Sequence, residues 1–165
     1  VDAVMTDVPG VCVGVSTADC IPVLLHDPVH HAVCAVHAGW RGTVQRIVPK
    51  AMAMMNMTFG TNPSELTAII GPGISLDKFE VGQEVYDAFA EAAFEMGDIA
   101  RKYEKWHIDL PQANRLSLMS SGVRSENIHL SGICTYTSAD DYFSARRLGT
   151  DSGRIYNGIM LRQGE

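Results

Sequence analysis

Positive charge is scarce in this sequence, and it has no long apolar run. Lysine and arginine together number 13 against 19 aspartates and glutamates, which gives a formal net charge of −6. No basic run or basic face is present, so nucleic acids and anionic membranes are disfavoured as partners. No apolar run approaches the ~20 residues that a membrane-spanning helix needs. We therefore expect neither a nucleic-acid partner nor a membrane partner.

The N-terminal stretch VDAVMTDVPG lacks the basic and apolar regions of a secretory signal peptide. The four cysteines, at positions 12, 20, 34 and 134, form no C-x-x-C pair and no small disulfide framework. These absences predict reduced thiols and a cytoplasmic protein. The chain also begins without methionine, at what reads as the edge of a strand. We therefore expect its natural beginning to lie further upstream.

What is present is a globular composition of 165 residues, 46% of them hydrophobic. We expect one domain over residues 1–165 that lacks its N-terminal segment. Short apolar runs between turn signals predict strands at 2–6, 11–17, 21–27, 31–37, 66–70, 127–136, 142–147 and 154–161. Helical spacing predicts helices at 43–60, 81–97 and 109–122. The order of these elements predicts an α/β domain with mixed sheets.

Local signals refine the helices and one strand. Thr43 is the expected cap of the first helix, and Pro49 is expected to kink or restart it. Asp109 is the expected start of the third helix, ahead of a proline. In the strand at 31–37, alternation places Cys34 and His37 on opposite faces, so these two side chains are not expected to share one site.

Residues 16–43, STADCIPVLLHDPVHHAVCAVHAGWRGT, contain two of the four cysteines and four of the six histidines. Cys20 follows the second predicted strand, and His37 ends a strand two elements later. The intervening residues suffice to run out along one strand and return along its neighbour, which would bring both side chains to one edge of the sheet. A thiolate and a neutral imidazole there could bind zinc or act as nucleophile and base.

Arginines provide two further candidates. The AGWRG turn after His37 contains Arg41, whose guanidinium fork suits phosphate or carboxylate. Near the C-terminus, Arg146, Arg147 and Arg154 lie close together in an acidic protein and indicate an anion site. The alternative for these three is a solvated arginine surface.

Other soft side chains are expected to be structural. His26, His30 and His31 flank an Asp-Pro turn and are interpreted as solvated turn residues. Cys12 and Cys34 are interpreted as core thiols, since free cysteine packs like a small apolar residue.

Six motifs follow one another along nearly the whole chain: TADCIPVLLHDP, AVHAGWRGT, GPGISLDKFEVG, DLPQANRLSL, CTYTSADDYFSARR and SGRI. In this order they resemble the YfiH/DUF152 family, also called laccase-domain or polyphenol-oxidoreductase-like proteins. That family includes bacterial purine nucleoside phosphorylases and a peptidoglycan-editing factor. The resemblance implies a layered α/β/β/α fold with mixed sheets, similar to that of bacterial toxin deamidases.

The resemblance also implies a zinc ion held by one cysteine and two histidines, and Cys20 and His37 match two of these ligands. The third is a histidine in a segment that precedes this chain, and no residue here matches it. The implied activity is phosphorolysis of adenosine, inosine and methylthioadenosine, with adenosine deamination besides. Cys20, His37 and Arg41 are then the expected catalytic residues, and Arg41, Arg146 and Arg147 would contact phosphate or ribose.

Three alternatives remain open at this point. One cysteine and two histidines can also bind copper, but the chain has none of the H-x-H pairs typical of multicopper oxidases, so copper-dependent phenol oxidation is disfavoured. A metal-free hydrolase, of the deamidase or peptidoglycan-editing type, would use His37 to activate Cys20. A non-enzymatic domain with a structural zinc would need a fourth ligand, and none is apparent.

Overall fold

The computed structural model describes residues 2–164, so the predicted domain of residues 1–165 extends one residue beyond the described range at each end. The described residues form ten strands: β1 Ala3–Thr6, β2 Cys12–Thr17, β3 Ile21–Asp27, β4 Ala32–Ala38, β5 Thr67–Ile70, β6 Glu80–Val81, β7 Ala100–Lys102, β8 Trp106–Ile108, β9 Ile128–Leu130 and β10 Ile155–Met160. They also form six α-helices: α1 Trp40–Val44, α2 Ile47–Phe59, α3 Gln83–Glu91, α4 Met96–Ile99, α5 Leu110–Ser120 and α6 Ala145–Leu148. None of the helices in residues 2–164 is both long and apolar enough to span a membrane.

A five-stranded sheet in the order β1-β4-β3-β5-β9 forms the centre of the fold. Its strands pair antiparallel except for β5 and β9, which are parallel. Helices α2 and α5 pack against one face, and the antiparallel pair β2–β10 lies against the other. The mixed α/β class predicted from the sequence is therefore confirmed.

The two faces of β4 pack into different cores, as the alternation of its residues predicts. Cys34 and Val36 lie in the larger core with the helices, whereas Val33 and Ala35 lie in the smaller core with β2 and β10. Cys34 is completely buried, and burial raises the pKa of its thiol to about 12. By the same alternation His37 projects toward the β2–β10 side.

The interpretation of Cys12 as a core thiol is wrong. Cys12 begins β2 and is exposed, because Val13 and Val15 are the residues of that strand that face the core. Alternation along a half-buried strand places Cys12 on the outer face, and its partner in β10, Met160, is also exposed.

The first predicted helix is divided differently from the expectation. Thr43 is not a cap but lies inside α1, buried, with its hydroxyl donating to the Gly39 carbonyl at 2.7 Å. The break falls at Arg46, whose left-handed φ of 62° separates α1 from α2. Pro49 sits in the first turn of α2, where a missing N–H costs no helical hydrogen bond. Asp109, by contrast, caps α5 as predicted and accepts from the Gln112 N–H at 3.0 Å.

The predicted strand at 142–147 is wrong, because the last residues of this stretch enter α6. Ser144 caps that helix by accepting from the Arg147 N–H at 3.3 Å. The sequence prediction also missed the small antiparallel sheet β6-β8-β7. Its strands contain only two or three residues each, which is too short for a period of two to be recognisable.

A buried carboxylate fastens the turn between β3 and β4. Asp27 has no exposed surface and accepts from the N–H groups of Val29 and His30, from His30 Nδ1, and from the Thr61 hydroxyl at 2.6 Å. His30 therefore has a structural role in the turn. Burial by itself would raise the pKa of Asp27, but the hydrogen bonds outweigh it and hold the pKa below its ordinary 3.8.

We expect Thr61→Val to lower the free energy of unfolding at pH 7 by about 1–3 kcal/mol, since it removes a donor from a buried carboxylate. The pKa of Asp27 is lowered by folding, so its contribution to stability is complete above its unfolded pKa and is lost as the pH falls through its folded pKa. The difference from wild type should therefore shrink below about pH 4. Urea denaturation measures both quantities, with Thr58→Val in the exposed part of α2 as control. Equal losses in the two variants would contradict the assignment.

Candidate active site

The register of β3 against β4 places Cys20 and His37 on one face of the central sheet. Pro22 pairs with His37, and Ile21 pairs with Ala38. Paired residues project to the same side, so Cys20, two positions before Pro22, shares the face of His37. A Cβ on Gly39 would lie 2.9 Å from Cys20 Sγ, which shows that the thiol packs against the end of β4.

Cys20 and His37 are therefore diagonal neighbours at the end of an antiparallel pair. Such neighbours lie about 7–8 Å apart between backbone positions. Both residues are partly exposed, on the side of the sheet that β2 and β10 cover. One small molecule or ion at this edge could contact both side chains.

The Cys20 thiol is in its protonated form at neutral pH. Burial raises its pKa above the ordinary value of 9.0, and the adjacent negative charge of Asp19 raises it further. The positive charge of Arg154 acts in the opposite direction but does not overcome these two effects. A thiol in this state is a poor nucleophile unless a metal ion or another cation stabilises the thiolate.

His37 is held in its neutral form. Its ring is half-buried, and burial lowers its pKa below 6.5 although the charge of Asp2 opposes the shift. The backbone N–H of His37 donates to the Asp2 carbonyl at 2.7 Å, which ties the end of β4 to the start of the chain. Neutral imidazole is the form that binds a metal or accepts a proton.

Cys20 and His37 are residue types that bind zinc, but two ligands do not make a complete zinc site. Thiolate sulfur and imidazole nitrogen are typical zinc ligands, and a catalytic zinc usually has three protein ligands. Within residues 2–164 no group of three or more His, Cys, Asp or Glu side chains could hold a metal. Among the described residues neither His107 nor His129 joins Cys20 and His37 in such a group.

The predicted arginines lie in three different settings. Arg41 is exposed in the first turn of α1, with its guanidinium 4.5 Å from the centre of the Trp40 ring. Arg146 and Arg147 each donate one bond to a backbone carbonyl, of Glu80 and Tyr136 respectively. These two bonds fix the segment around α6, and the other guanidinium N–H groups carry no protein partner among the bonds of the described residues.

Arg154 is the arginine whose charge reaches Cys20. It also donates to the carbonyls of Ser152 at 2.7 Å and Thr150 at 3.3 Å, so its side chain is held by its own loop. Arg146 is joined to the Cys20 turn by a different group, since its backbone N–H donates to Asp19, the residue before Cys20.

Three polar residues at this edge were not predicted from the sequence: Asp19, Thr135 and Asn157. Asn157 in β10 donates from Nδ2 to the Thr17 hydroxyl at 2.9 Å. Asp19 bonds Thr135 and the backbone of Arg146. Their partners lie 116 to 140 residues away in the chain, so no local pattern could have identified them. Asp19 and Thr135 lie within the quoted motifs, which was the only available signal for them, and Asn157 lies outside all six.

Comparison with known proteins identifies the family. The sequence profile described as "Multi-copper polyphenol oxidoreductase laccase" matches residues 1–162. The chain belongs to this family, and the resemblance drawn from its motifs is confirmed. The crystal structure of a Bacillus licheniformis hypothetical protein YfiH superimposes with a TM-score of 0.92 at 30% identity, covering 98% of this chain and 61% of that one.

Several similar proteins have enzyme names. A purine nucleoside phosphorylase of Bacteroides thetaiotaomicron is 52% identical over 166 residues, which is 99% of this chain and 62% of that protein. A protein named adenosine deaminase RL5, from an unknown prokaryotic organism, is 44% identical over 165 residues, or 98% of this chain and 63% of that protein. The chain thus spans about three fifths of the length of these relatives.

The electrostatic environments predict an order of thiol reactivity in metal-free protein at pH 7.5. The Ser75 N–H and hydroxyl donate to Cys134 Sγ, and such bonds outweigh burial and lower the pKa of that thiol, whereas the pKa of Cys20 is raised. Since the thiolate reacts, iodoacetamide should modify Cys134 faster than Cys20, and Cys20 faster than Cys34. Peptide mass mapping over time measures the three rates. Cys20 reacting fastest would contradict the protonated state assigned to it.

Proposed function

We propose that residues 1–165 form the larger part of a zinc-dependent purine nucleoside phosphorylase acting on adenosine, inosine and methylthioadenosine. The observation that carries the proposal is the shared face of Cys20 and His37 at the end of the β3–β4 pair. The enzyme names of two relatives, at 52% and 44% identity, support the substrate class. The acidic chain and its reduced thiols agree with action in the cytoplasm.

In this proposal Cys20 and His37 supply two zinc ligands, and the remaining ligand comes from a group outside the described residues. A zinc ion with three protein ligands would keep a position open for water or substrate and lower the pKa of bound water to ~7. His37 is already neutral and binds without losing a proton. Cys20 must lose its proton, so metal binding weakens as the pH falls.

Phosphorolysis replaces the bond from ribose C1′ to the base nitrogen by a bond from C1′ to a phosphate oxygen, and the base leaves with the electron pair. Phosphate must therefore be held beside the sugar in a fixed orientation. Arg41 lies on α1, two residues beyond Gly39, which contacts the Cys20 thiol. Its planar fork suits bidentate binding of phosphate. Arg146 and Arg147, anchored by one bond each, are the further candidates for phosphate or ribose contacts.

Adenosine deamination is the second candidate function, and the relative named adenosine deaminase RL5 favours it. In that reaction water replaces the 6-amino group of the purine and ammonia leaves. The chain lacks the H-x-E and P-C-x-x-C signature of the zinc nucleobase deaminases, so the reaction would use a different arrangement of groups.

The remaining alternatives have less support from the site. A metal-free Cys–His hydrolase needs an activated thiolate, yet burial and Asp19 both raise the pKa of Cys20. Copper-dependent polyphenol oxidation agrees with the description of the family, but the chain has no H-x-H pair.

We expect Cys20→Ala and His37→Ala each to abolish metal binding and the release of adenine from adenosine by the whole protein. Arg41→Ala should retain the metal and lose about 2–4 kcal/mol of transition-state stabilisation, since only an anion contact is removed. The matched controls are the exposed residues Cys12→Ala, His129→Ala and Arg124→Ala. Adenine release is measured with and without phosphate, before and after treatment with a chelator.

Full activity after rigorous metal removal would contradict the zinc proposal. A Cys–His hydrolase would survive chelation, require no phosphate and be inactivated by thiol alkylation. Adenosine conversion to inosine without phosphate would favour the deaminase, and absence of purine turnover by metal-loaded whole protein would overturn both nucleoside activities.

A further inference from the structure

The backbone that carries Cys20 is held in an unusual conformation by a distant segment of the chain. Asp19 has a φ of 98°, on the left-handed side that non-glycine residues seldom adopt. Its carbonyl accepts from the Ile74 N–H at 2.9 Å. A Cβ on Gly73 would lie 3.1 Å from the Asp19 carbonyl oxygen and 3.3 Å from that of Cys20, so the absence of a side chain allows this approach.

Both carboxylate oxygens of Asp19 accept a hydrogen bond. Oδ1 accepts from the Thr135 hydroxyl at 2.7 Å, and Oδ2 accepts from the backbone N–H of Arg146 at 2.7 Å. Thr135 is completely buried. One side chain therefore joins the turn before β3 to two segments that follow it by 116 and 127 residues.

The bonds of Asp19 connect the Cys20 turn to the arginine-bearing part of the chain. The Arg146 N–H lies at the start of α6, and the loop after α6 leads to Arg154, whose charge acts on Cys20. A strained φ persists only where surrounding contacts hold it. At Asp19 these contacts are the three hydrogen bonds from Ile74, Thr135 and Arg146. Without the bonds of this carboxylate, the Cys20 side chain could change its direction, and the segment 145–154 could move away from the Cys20 turn.

We propose that Asp19 is a positioning residue of the active site: its carboxylate holds Cys20 on the face of His37 and docks the segment 145–154 beside it. The role of the positioned thiol as a zinc ligand rests on the proposed function, whereas the positioning itself does not. The carboxylate is specifically required, because an asparagine has one acceptor oxygen for two donors and would turn an N–H toward one of them.

Two variants separate positioning from charge. Thr135→Val keeps the size of the side chain and the charge of Asp19 but removes the hydroxyl donor, and Thr135→Ser restores that donor. Asp19→Asn removes the charge and one acceptor. Asp151→Asn is the matched control, since it removes an exposed carboxylate from the same segment.

The measurement is the rate at which iodoacetamide alkylates Cys20 in metal-free protein, followed by peptide mass mapping. The alkylation rate of the exposed Cys12 is the reference for reagent concentration and reactivity. The rate of the buried Cys34 measures opening of the whole fold. We expect Thr135→Val and Asp19→Asn to raise the Cys20 rate by about threefold or more, as local opening exposes a thiol that now packs against Gly39. Thr135→Ser and Asp151→Asn should remain within about twofold of wild type.

An unchanged Cys20 rate in Thr135→Val would overturn the proposal, since that variant leaves the local charge intact. A rise in Thr135→Val that Cys34 shares would also overturn it, because the carboxylate would then support the whole fold rather than the site. The alkylation requires neither metal nor turnover, so its result is independent of whether the protein proves to be a nucleoside phosphorylase.

Discussion

The antiparallel pairing of β3 with β4 sets Pro22 opposite His37 and Ile21 opposite Ala38, and the whole candidate site depends on this register. A shift by one residue would turn His37 toward the helices and bring Val36 to the face of β2 and β10. The two cores oppose such a shift, because Cys34 and Val36 pack among the helices while Val33 and Ala35 pack under β2. The alternation of apolar residues along β4 thereby also fixes the face of the sheet on which the His37 imidazole lies.

The turn beyond β4 and the turn before β3 complete the edge that this register creates. Gly39 leaves room for the Cys20 sulfur, and α1 begins immediately afterwards, which places Arg41 two residues beyond Gly39. From the C-terminal side, the bonds of Asp19 bring α6 and its following loop to the same edge. Residues from the first quarter and the last fifth of the chain thus meet at the end of the β3–β4 pair.

Local pattern sufficed for the elements that carry strong periodicity or capping signals. The strands β1 to β4 and helix α5 with its Asp109 cap follow directly from apolar alternation and from a capping aspartate ahead of a proline. The local pattern failed where tertiary contacts determine the backbone conformation or the exposure of a residue. The left-handed conformation of Arg46 depends on contacts with a remote part of the chain. Its guanidinium lies over the Phe94 ring and donates to the Ala92 carbonyl. The exposure of Cys12 depends on which face of β2 packs against the central sheet, where Val13 and Val15 contact Val33 and Ala35.

The same distinction applies to the site. The prediction that Cys20 and His37 lie at one edge of the sheet needs only strand parity and a return connection. The bonds of Asp19 and Asn157 could not be predicted, since each joins residues more than a hundred positions apart. The burial that protonates Cys20 and neutralises His37 is likewise a property of the assembled fold. The proposed zinc site uses Cys20 as a thiolate and His37 as a neutral imidazole, and only the second of these is the form that burial favours in the metal-free protein.

X-ray absorption spectroscopy at the zinc edge, on the whole protein loaded with one equivalent of zinc, tests this central claim most directly. A site that uses both Cys20 and His37 predicts a sulfur shell at ~2.3 Å together with nitrogen at ~2.0–2.1 Å. The sulfur shell should disappear in Cys20→Ala and persist in Cys12→Ala. A zinc environment of nitrogen and oxygen alone in the wild-type protein, with no sulfur, would contradict the account.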